Sequence, residues 1–374
     1  MKVLMMATSF PANAADWKGR FIYDMAAAVA GLQETQICLW APPGDLPERV
    51  SCALAEQDRI RLQQLAAAGG IAHLLRRSPL KGVGRGLSLL WSLRQACSRV
   101  QPDVYHCNWL QTALALPADG RPALVTVLGT DFRLLNLPGM VWLLRRVFHG
   151  RQTLLAPNAA WMVPRLQELF GDIAEVAEIP FGVDAAWFGV QRDAGVFNDW
   201  LAVIRLTRDK LGDLLAWGEG LFGGNSGRRL HLFGPMQEQL TLPDWLVWHG
   251  PTNPLALRCD WFSRAVGLLT LSRHAEGRPQ VILEAMAAGL PVLASDIPAH
   301  VDLLRHKETG YLCATREDFF AGLLALESLA ENVRIGTAAQ KWMRDSIGDW
   351  DLCAQRYMWA YRSLMEDKGR CASC

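Results

Sequence analysis

Two glutamates with an E-x7-E spacing, Glu276 and Glu284, are the residues in this sequence best placed to bind a polar ligand. Glu284 stands inside the run VILEAMAA, which is apolar around nearly the whole circumference of a helix and so predicts a helix buried on most sides. A carboxylate on such a helix costs stability unless hydrogen-bond donors lie close to it. The ribose hydroxyls of a bound nucleotide would supply such donors.

The helix that carries Glu284 is predicted to begin at Pro279 and to end at Gly289, because proline suits a first turn and glycine a left-handed cap. Its free N–H groups favour an anion such as a diphosphate. The axial rise from Pro279 to Glu284 is about 7 to 8 Å, comparable to the reach from diphosphate to ribose. The alternative, that Glu276 is a first-turn charge and Glu284 pairs with an arginine, remains open.

The elements around these glutamates read as alternating strands and helices. A strand ending near Leu271, the helix and a strand from Pro291 form one βαβ unit. Near the start of the chain, a buried strand over residues 2–7 and a helix over 21–32 repeat the pattern. A length of 374 residues favours two domains.

Two cations follow a strand in the segment NDWLAVIRLTRDK. They are Arg205 and Lys210, and at the carboxyl edge of a parallel sheet they would neutralise a diphosphate. The alternative is an arginine in a turn and a lysine in the first turn of a helix.

Composition excludes some classes of function. The chain has 38 Lys plus Arg against 37 Asp plus Glu, so its charge balance does not favour nucleic acid as a partner. Nine cysteines are scattered, mostly in apolar stretches, which is typical of a reducing cytosol. Cys371 and Cys374 form a lone pair at the terminus, and we predict no metal site. No apolar run is long enough to span a bilayer.

Two basic, apolar segments have two open interpretations. Residues 74–99 carry no acid, and residues 140–151 repeat the mixture with Trp142. Such segments suit the surface of an anionic membrane, and they equally suit a core helix with a solvated cationic face. The basic residues of the two segments are Arg76, Arg77, Lys81, Arg85, Arg94, Arg99, Arg145, Arg146 and Arg151.

Several motifs together resemble those of the retaining glycosyltransferases of family 4. The stretch EGRPQVILEAMAAGLPVLAS resembles the E-x7-E signature of that family, and Arg205 to Lys210 match its R-L-x-x-x-K. IPFGVDAAWF, over residues 179–188, resembles the segment that ends the first domain in the family. The resemblance covers about residues 1–365 and is strongest in the second half.

The resemblance implies the GT-B architecture, an α/β fold of two Rossmann-like domains whose parallel sheets face each other across a cleft. Residues 1–182 would form the acceptor-binding domain, with a final helix over about 350–366 packing back on it. Residues 190–349 would form the domain that binds the nucleotide sugar.

The resemblance also implies roles for individual residues. Arg205, Lys210 and Glu276 would be the catalytic residues, with Arg205 and Lys210 holding the diphosphate and Glu276 positioning sugar hydroxyls. Glu284 would hold the ribose. The remaining donor-side residues would also contact the nucleotide sugar. Those in the loop before the helix are Gly277, Arg278 and Pro279, and those that would let the backbone approach it closely are Gly19 and Gly129.

The acceptor side departs from the family pattern. DVYHCNWL resembles D-V-x-H-x-H, and Asn108 replaces its second histidine, which often lines the cleft in the family. VTVLGTD resembles T-x-H-G-T-D, with Leu128 in place of the histidine. A histidine base in this domain is therefore not predicted. The residues implied on the acceptor side are His106, Asn108, Thr130 and Asp131.

The function implied is retaining, metal-independent transfer from a UDP-, GDP- or other nucleotide sugar to a lipid-linked sugar or glycan, as in bacterial polysaccharide or glycolipid synthesis. No further cofactor is expected. The location expected is cytoplasmic, peripheral on the inner face of the membrane. Two alternatives stay open: a non-hydrolysing sugar-nucleotide epimerase, which would act without acceptor, and a catalytically weak subunit that binds nucleotide sugar.

Overall fold

The computed structural model describes residues 1–14, 16–67, 79–193, 198–223 and 226–366. The chain divides into two compact units. Unit 1 consists of Met1–Phe181 together with the chain from Trp350 onward, and unit 2 consists of Gly182–Asp349.

Unit 1 is built on a parallel sheet of seven strands among the described residues, in the order β3-β2-β1-β4-β5-β6-β7. The direction in which the chain adds strands reverses between β1 and β4. The strands are β1 (Lys2–Met6), β2 (Gln36–Trp40), β3 (Val50–Cys52), β4 (Val104–Asn108), β5 (Ala123–Val127), β6 (Thr153–Pro157) and β7 (Glu175–Val176).

Helices cover both faces of this sheet, as a parallel sheet with buried strands requires. They are α1 (Arg20–Gly31), α2 (Glu56–Ala67), α3 (Pro79–Val100), α4 (Leu110–Ala113), α5 (Asp131–Leu135), α6 (Met140–Phe148), α7 (Val163–Phe170) and the C-terminal α15 (Trp350–Glu366), with a 3₁₀ turn over Ala160–Met162. One core cluster joins α3, α4, α6 and α7 to the sheet, and a second joins α1 and α15 to the opposite face.

A buried polar network fixes α15 to the sheet of unit 1. His106 Nδ1 lies 2.6 Å from the Tyr361 hydroxyl, and His106 Nε2 lies 2.9 Å from Thr126 Oγ1. Thr126 Oγ1 is in turn 3.0 Å from the Tyr357 hydroxyl. All four side chains are buried, and burial lowers the pKa of His106 to about 3, so the imidazole is neutral in the folded chain.

Unit 2 is built on a parallel sheet of six strands among its described residues, in the order β10-β9-β8-β11-β12-β13. Here the direction reverses between β8 and β11. The strands are β8 (Asp199–Val203), β9 (Arg229–Phe233), β10 (Leu246–Gly250), β11 (Gly267–Thr270), β12 (Val292–Ser295) and β13 (Tyr311–Cys313).

The helices of unit 2 pack into one core cluster on each face of its sheet. They are α8 (Arg208–Leu211), α9 (Leu214–Phe222), α10 (Pro254–Ala256), α11 (Gln280–Ala287), α12 (Pro298–Val301), α13 (Arg316–Glu327) and α14 (Leu329–Trp342). A 3₁₀ turn covers Ala185–Gly189, and π-helical turns cover Leu257–Phe262 and Met343–Ile347.

The predicted elements around the two glutamates are present with one shift. The helix α11 begins at Gln280, and Pro279 is its N-cap with an extended backbone rather than its first helical residue. Gly289 has the predicted left-handed φ of 68°. No helix in the described ranges is both long and apolar enough to cross a bilayer. Arg76, Arg77, the Lys81 side chain, Cys371 and Cys374 lie outside the described residues.

We predict that His106→Phe destabilises unit 1 by about 2 to 4 kcal/mol at pH 7.5, because two buried hydroxyls lose their partner. This difference in the free energy of unfolding shrinks by about 2 kcal/mol by pH 5, because the wild type loses stability as the pH falls. Between pH 6.5 and 3, the unfolded wild-type chain takes up a proton at His106 and the folded chain does not. Urea unfolding read by hydrogen exchange of the α15 amides measures both values.

Tyr361→Phe is the matched control, because it removes a hydroxyl of the same network without removing the titrating ring. Its cost is expected to stay constant over the same pH range. If the difference in the free energy of unfolding between the wild type and His106→Phe stays the same down to pH 5, the neutral, buried state of His106 is contradicted.

Candidate functional site

The candidate site lies in unit 2, at the carboxyl ends of β8, β11 and β12. These strands are neighbours in the sheet, and the strand order reverses between β8 and β11. In open α/β sheets, the crevice outside the carboxyl ends at such a reversal is where ligands bind. The segments that follow these three strands carry most of the predicted donor-side residues.

An ion pair joins the segments that follow β8 and β11. Lys210 Nζ lies 2.6 Å from Glu276 Oε1, and the two side chains are 13% and 12% exposed. Burial lowers the pKa of Lys210 despite the opposing attraction of Glu276, and the charge of Arg205 lowers it further. Arg205, Lys210 and Glu276 are therefore close enough to act on one ligand.

Local structure fixes Lys210 in this position. Thr207 caps α8 by accepting a hydrogen bond from the Lys210 backbone N–H at 3.3 Å. The Arg273 N–H donates to the carbonyl of Asp209 at 2.8 Å, and the Arg273 side chain pairs with Asp213, so the two loops are joined directly.

Gly212 allows these loops to approach each other so closely. Its φ of 53° and ψ of −122° are accessible to glycine alone at low cost. A Cβ atom at this position would stand 1.8 Å from the carbonyl oxygen of Leu271. The contact therefore requires a glycine.

Hydroxyl groups complete the surroundings of Glu276. Ser272 Oγ donates to Glu276 Oε1 at 3.0 Å, and Ser295 Oγ donates to the carbonyl of Ser272 at 2.6 Å. Burial raises the pKa of Glu276, but Lys210, His300 and Ser272 together outweigh it, so the pKa lies below its usual value. Glu276 is therefore an anion that accepts hydrogen bonds.

His300 also belongs to this site. It lies on α12, is fully buried, and its Nδ1 donates to the carbonyl of Ser295 at 2.9 Å. Burial lowers the pKa of His300, and Glu276 and Lys210 both act on it electrostatically. No role for His300 was predicted from the sequence. Ser272 and Ser295 carried no recognisable signal.

The start of α11 presents the positive end of a helix beside Glu276. Pro279 makes no side-chain cap, and the described first turn holds no acidic residue that would neutralise it. Gly277 lies in the loop before the helix, and Glu284 is half-buried in its second turn. The predicted roles of Gly277, Pro279 and Glu284 stay predictions.

Arg278 is held within unit 2. Its guanidinium forms a buried ion pair with Asp302, with side-chain exposures of 3% and 6%. The sequence predicted a contact between Arg278 and the donor, and a charge there would favour a charged sugar. Asp302 neutralises that charge inside the protein.

Two residues predicted on the acceptor side are buried within unit 1. His106 is a core residue, because both its ring nitrogens are occupied by Tyr361 and Thr126. Asp131 is also buried, and its carboxyl accepts hydrogen bonds from the backbone N–H groups of Leu128, at 2.8 Å, and of Leu110. Burial raises the pKa of Asp131 to about 7. Both residues brace unit 1, and their contacts with an acceptor stay predictions.

The remaining residues predicted in unit 1 lie at the ends of its strands or helices. Gly19 is the N-cap of α1 with a φ of 65°. Asn108 ends β4 and donates from Nδ2 to the carbonyl of Met6 at 3.3 Å. Gly129 is buried and Thr130 is exposed in the turn after β5. Their contacts with donor or acceptor stay predictions.

No cluster of three or more His, Cys, Asp or Glu side chains is placed to hold a metal ion within the described ranges.

Comparison with known proteins gives a family match for part of unit 2. Residues 258–342 match the family model described as "Glycosyl transferases group 1". This segment contains Glu276 and Glu284 but neither Arg205 nor Lys210. Over nearly the whole chain, the glycogen synthase of Mycobacterium tuberculosis (strain ATCC 25618 / H37Rv) is 25% identical, with 99% of this chain and 97% of the relative covered.

Two solved structures illustrate the similarity of the fold. Sucrose-phosphate synthase from Thermosynechococcus elongatus superposes with a TM-score of 0.72 at 14% identity, covering 98% of this chain and 100% of that chain. Anabaena Alr3699/HepE in complex with UDP-glucose superposes with a TM-score of 0.64 at 16% identity, covering 97% and 100%. The predicted GT-B fold is confirmed.

We predict that Gly212→Ala destabilises unit 2 by about 2 to 3 kcal/mol, because the strained backbone and the clash with Leu271 both have to be accommodated. Gly189→Ala is the matched control, since Gly189 has no atom within 4 Å of the added Cβ. Thermal unfolding measures both. Equal melting temperatures for the two variants would contradict the close contact between the loops.

Proposed function

This chain is a glycosyltransferase of the GT-B fold, and we propose that it is a retaining, metal-independent enzyme that transfers a hexose from a nucleotide-diphosphate sugar to a lipid-linked sugar or a glycan. The observation that carries the proposal is the Lys210–Glu276 ion pair beside Arg205, at the strand reversal of unit 2. UDP-glucose bound to the structural neighbour HepE supports a nucleotide-sugar donor.

The cations of the site suit a leaving diphosphate. Negative charge grows on the diphosphate as its bond to the anomeric carbon breaks, and preorganised donors stabilise that charge most where water is excluded. Lys210 has three N–H donors, so it can keep its bond to Glu276 and still donate to phosphate oxygens. Arg205 and the start of α11 add positive charge on the same side.

The anion of the site suits the sugar. Glu276 accepts hydrogen bonds, and sugar hydroxyls donate them. Glu284, one turn into α11, would accept hydrogen bonds from the ribose. The two glutamates would thus bind the two sugars at either end of the diphosphate. The neutralised Arg278 supports an uncharged hexose over a sugar acid.

A retaining reaction suits the groups that unit 1 offers. His106 is occupied in the core, and Leu128 and Asn108 stand where the family has histidines, so these positions provide no base. In a retaining transfer, the departing phosphate can take the proton of the acceptor hydroxyl on the same face of the sugar. The reaction then needs charge stabilisation rather than a protein base.

A face of unit 1 suits a lipid-linked acceptor, and we refer to it as the Trp91/Trp142 face. Trp91 on α3 is 58% exposed and Trp142 on α6 is 62% exposed, and both helices pack on the same side of the sheet. Other exposed apolar and basic side chains on α3, on α6 and on the segment before α6 are Leu87, Arg85, Leu143, Arg146, Leu137 and Arg133.

Exposed tryptophan, leucine and arginine side chains together fit the interface of an anionic membrane, where each arginine contributes about 1 kcal/mol. Other arginines of the two basic segments bind backbone carbonyl groups or Asp172 within unit 1, so they contribute less to this face. We propose that the face places the enzyme at the membrane that holds its acceptor.

We predict that Lys210→Met lowers kcat/KM for sugar transfer by about 100- to 1,000-fold, because the developing charge on the diphosphate loses a preorganised donor. Arg208→Met is the matched control on the same helix, since the Arg208 side chain is exposed, and it is expected to leave activity unchanged. Turnover of a panel of UDP- and GDP-sugars, in EDTA and with a lipid-linked glycan acceptor, is the measurement. The assignment would be overturned if both variants lost the same fraction of kcat/KM, or if the wild type needed added metal for activity.

We predict that the double variant Trp91→Ser/Trp142→Ser binds vesicles containing phosphatidylglycerol at least about tenfold more weakly than the wild type. Trp359→Ser is the control, because Trp359 is 66% exposed on α15, which packs on the opposite face of the sheet. Vesicle co-sedimentation measures binding. Equal binding by both variants, or equal binding to neutral phosphatidylcholine, would exclude this face as the membrane contact.

A further inference from the structure

His300 carries a hydrogen-bond acceptor that the protein itself does not use. Its Nδ1 lies 2.9 Å from the carbonyl oxygen of Ser295, and a carbonyl only accepts, so Nδ1 holds the proton. The neutral ring then has a lone pair on Nε2. That atom is buried and has no hydrogen-bond partner among the described residues.

An unused acceptor in a buried position is costly, because it has left water and gained no bond in return. Such groups are rare in folded proteins and call for a physical reason. At His300 the surroundings supply one, since Glu276 and Lys210 both act on its ring. Hydrogen bonds also join His300 to Glu276 through Ser295 and Ser272, so the unused acceptor borders the candidate site.

The hydrogen-bonding character of the site separates two kinds of ligand group. Arg205, Lys210 and the start of α11 offer donors or positive charge, which suit phosphate oxygens. Glu276 and His300 offer acceptors, which suit hydroxyl groups and repel phosphate. A nucleotide sugar has both kinds of group, and the hydroxyls nearest the diphosphate are those of the transferred sugar.

We propose that His300 Nε2 accepts a hydrogen bond from one hydroxyl of the transferred sugar and thereby helps select which sugar is used. The proposal rests on the proposed function and deepens it. Sites built to bind a hydroxyl reject analogues that lack it far more strongly than apolar sites reject an extra group. His300 acts with Glu276, which engages the sugar through its carboxylate.

Two substitutions separate this role from a structural one. His300→Asn keeps an N–H close to the position of Nδ1, for the bond to Ser295, and removes the Nε2 acceptor. His300→Gln does the reverse, because its amide oxygen reaches the position of Nε2. A purely structural role predicts that Asn is tolerated and Gln is not, whereas binding of a sugar hydroxyl predicts the opposite.

The test compares kcat/KM for UDP-glucose and for analogues that each lack one sugar hydroxyl, in the wild type and both variants. The penalty of an analogue is the factor by which its kcat/KM is lower than that of UDP-glucose. We expect a penalty for one analogue in the wild type and in His300→Gln, and we expect that penalty to be about tenfold smaller in His300→Asn. The other analogues are expected to keep their penalties. Unchanged penalties in His300→Asn would overturn the role of His300.

Two further outcomes are distinguishable. If His300→Asn does not fold, His300→Gln is compared with His300→Met, which has nearly the same shape and lacks the amide acceptor, and equal penalties in that pair would overturn the role. A wild-type protein that binds no nucleotide sugar in a panel of UDP-, GDP- and ADP-sugars would overturn the proposed function itself. If the wild type discriminates between the analogues and the variants at residue 300 discriminate equally well, only this inference is overturned.

Discussion

The Lys210–Glu276 ion pair is the interaction on which the candidate site depends. Two charges removed from water are stable only when each compensates the other and further hydrogen bonds satisfy what remains. Ser272 supplies such a bond to Glu276, and Ser295 holds Ser272 in place. Gly212 allows the loops to meet, and Arg273 joins them. The free protein thus keeps its charges arranged for a ligand before the ligand arrives.

Residues close together in sequence and tied to one element were predictable in type and place. The E-x7-E spacing located Glu276 in the loop before α11 and Glu284 on α11, and strand-end reasoning located Arg205 and Lys210. Local signals suffice there because a strand, its turn and the following helix are built from neighbours. Residues recruited across strands were not predictable in this way. Ser295 reaches Ser272, and His300 acts on Glu276, only because β11 and β12 are adjacent.

His106 shows the same limit from the other direction. The sequence placed a histidine at the end of a strand, where side chains commonly reach a ligand. Its actual partner, Tyr361, stands on α15 and is far away in the sequence. Arg278 shows a similar limit, because the charge that neutralises it comes from Asp302 after the next strand. A side chain's type is local information, whereas its partner is decided by packing.

The return of the chain from unit 2 to unit 1 has a consequence for biosynthesis. Unit 2 is one continuous segment, whereas the second core cluster of unit 1 needs α15, the last helix described. On the ribosome, the face of the first sheet that contacts Tyr357 and Tyr361 stays uncovered until the whole of unit 2 has been made. Domains generally fold as units from the N-terminal end, and exposed apolar faces aggregate. Here the N-terminal unit completes its core last, so translation pausing or premature termination within unit 2 would leave it open.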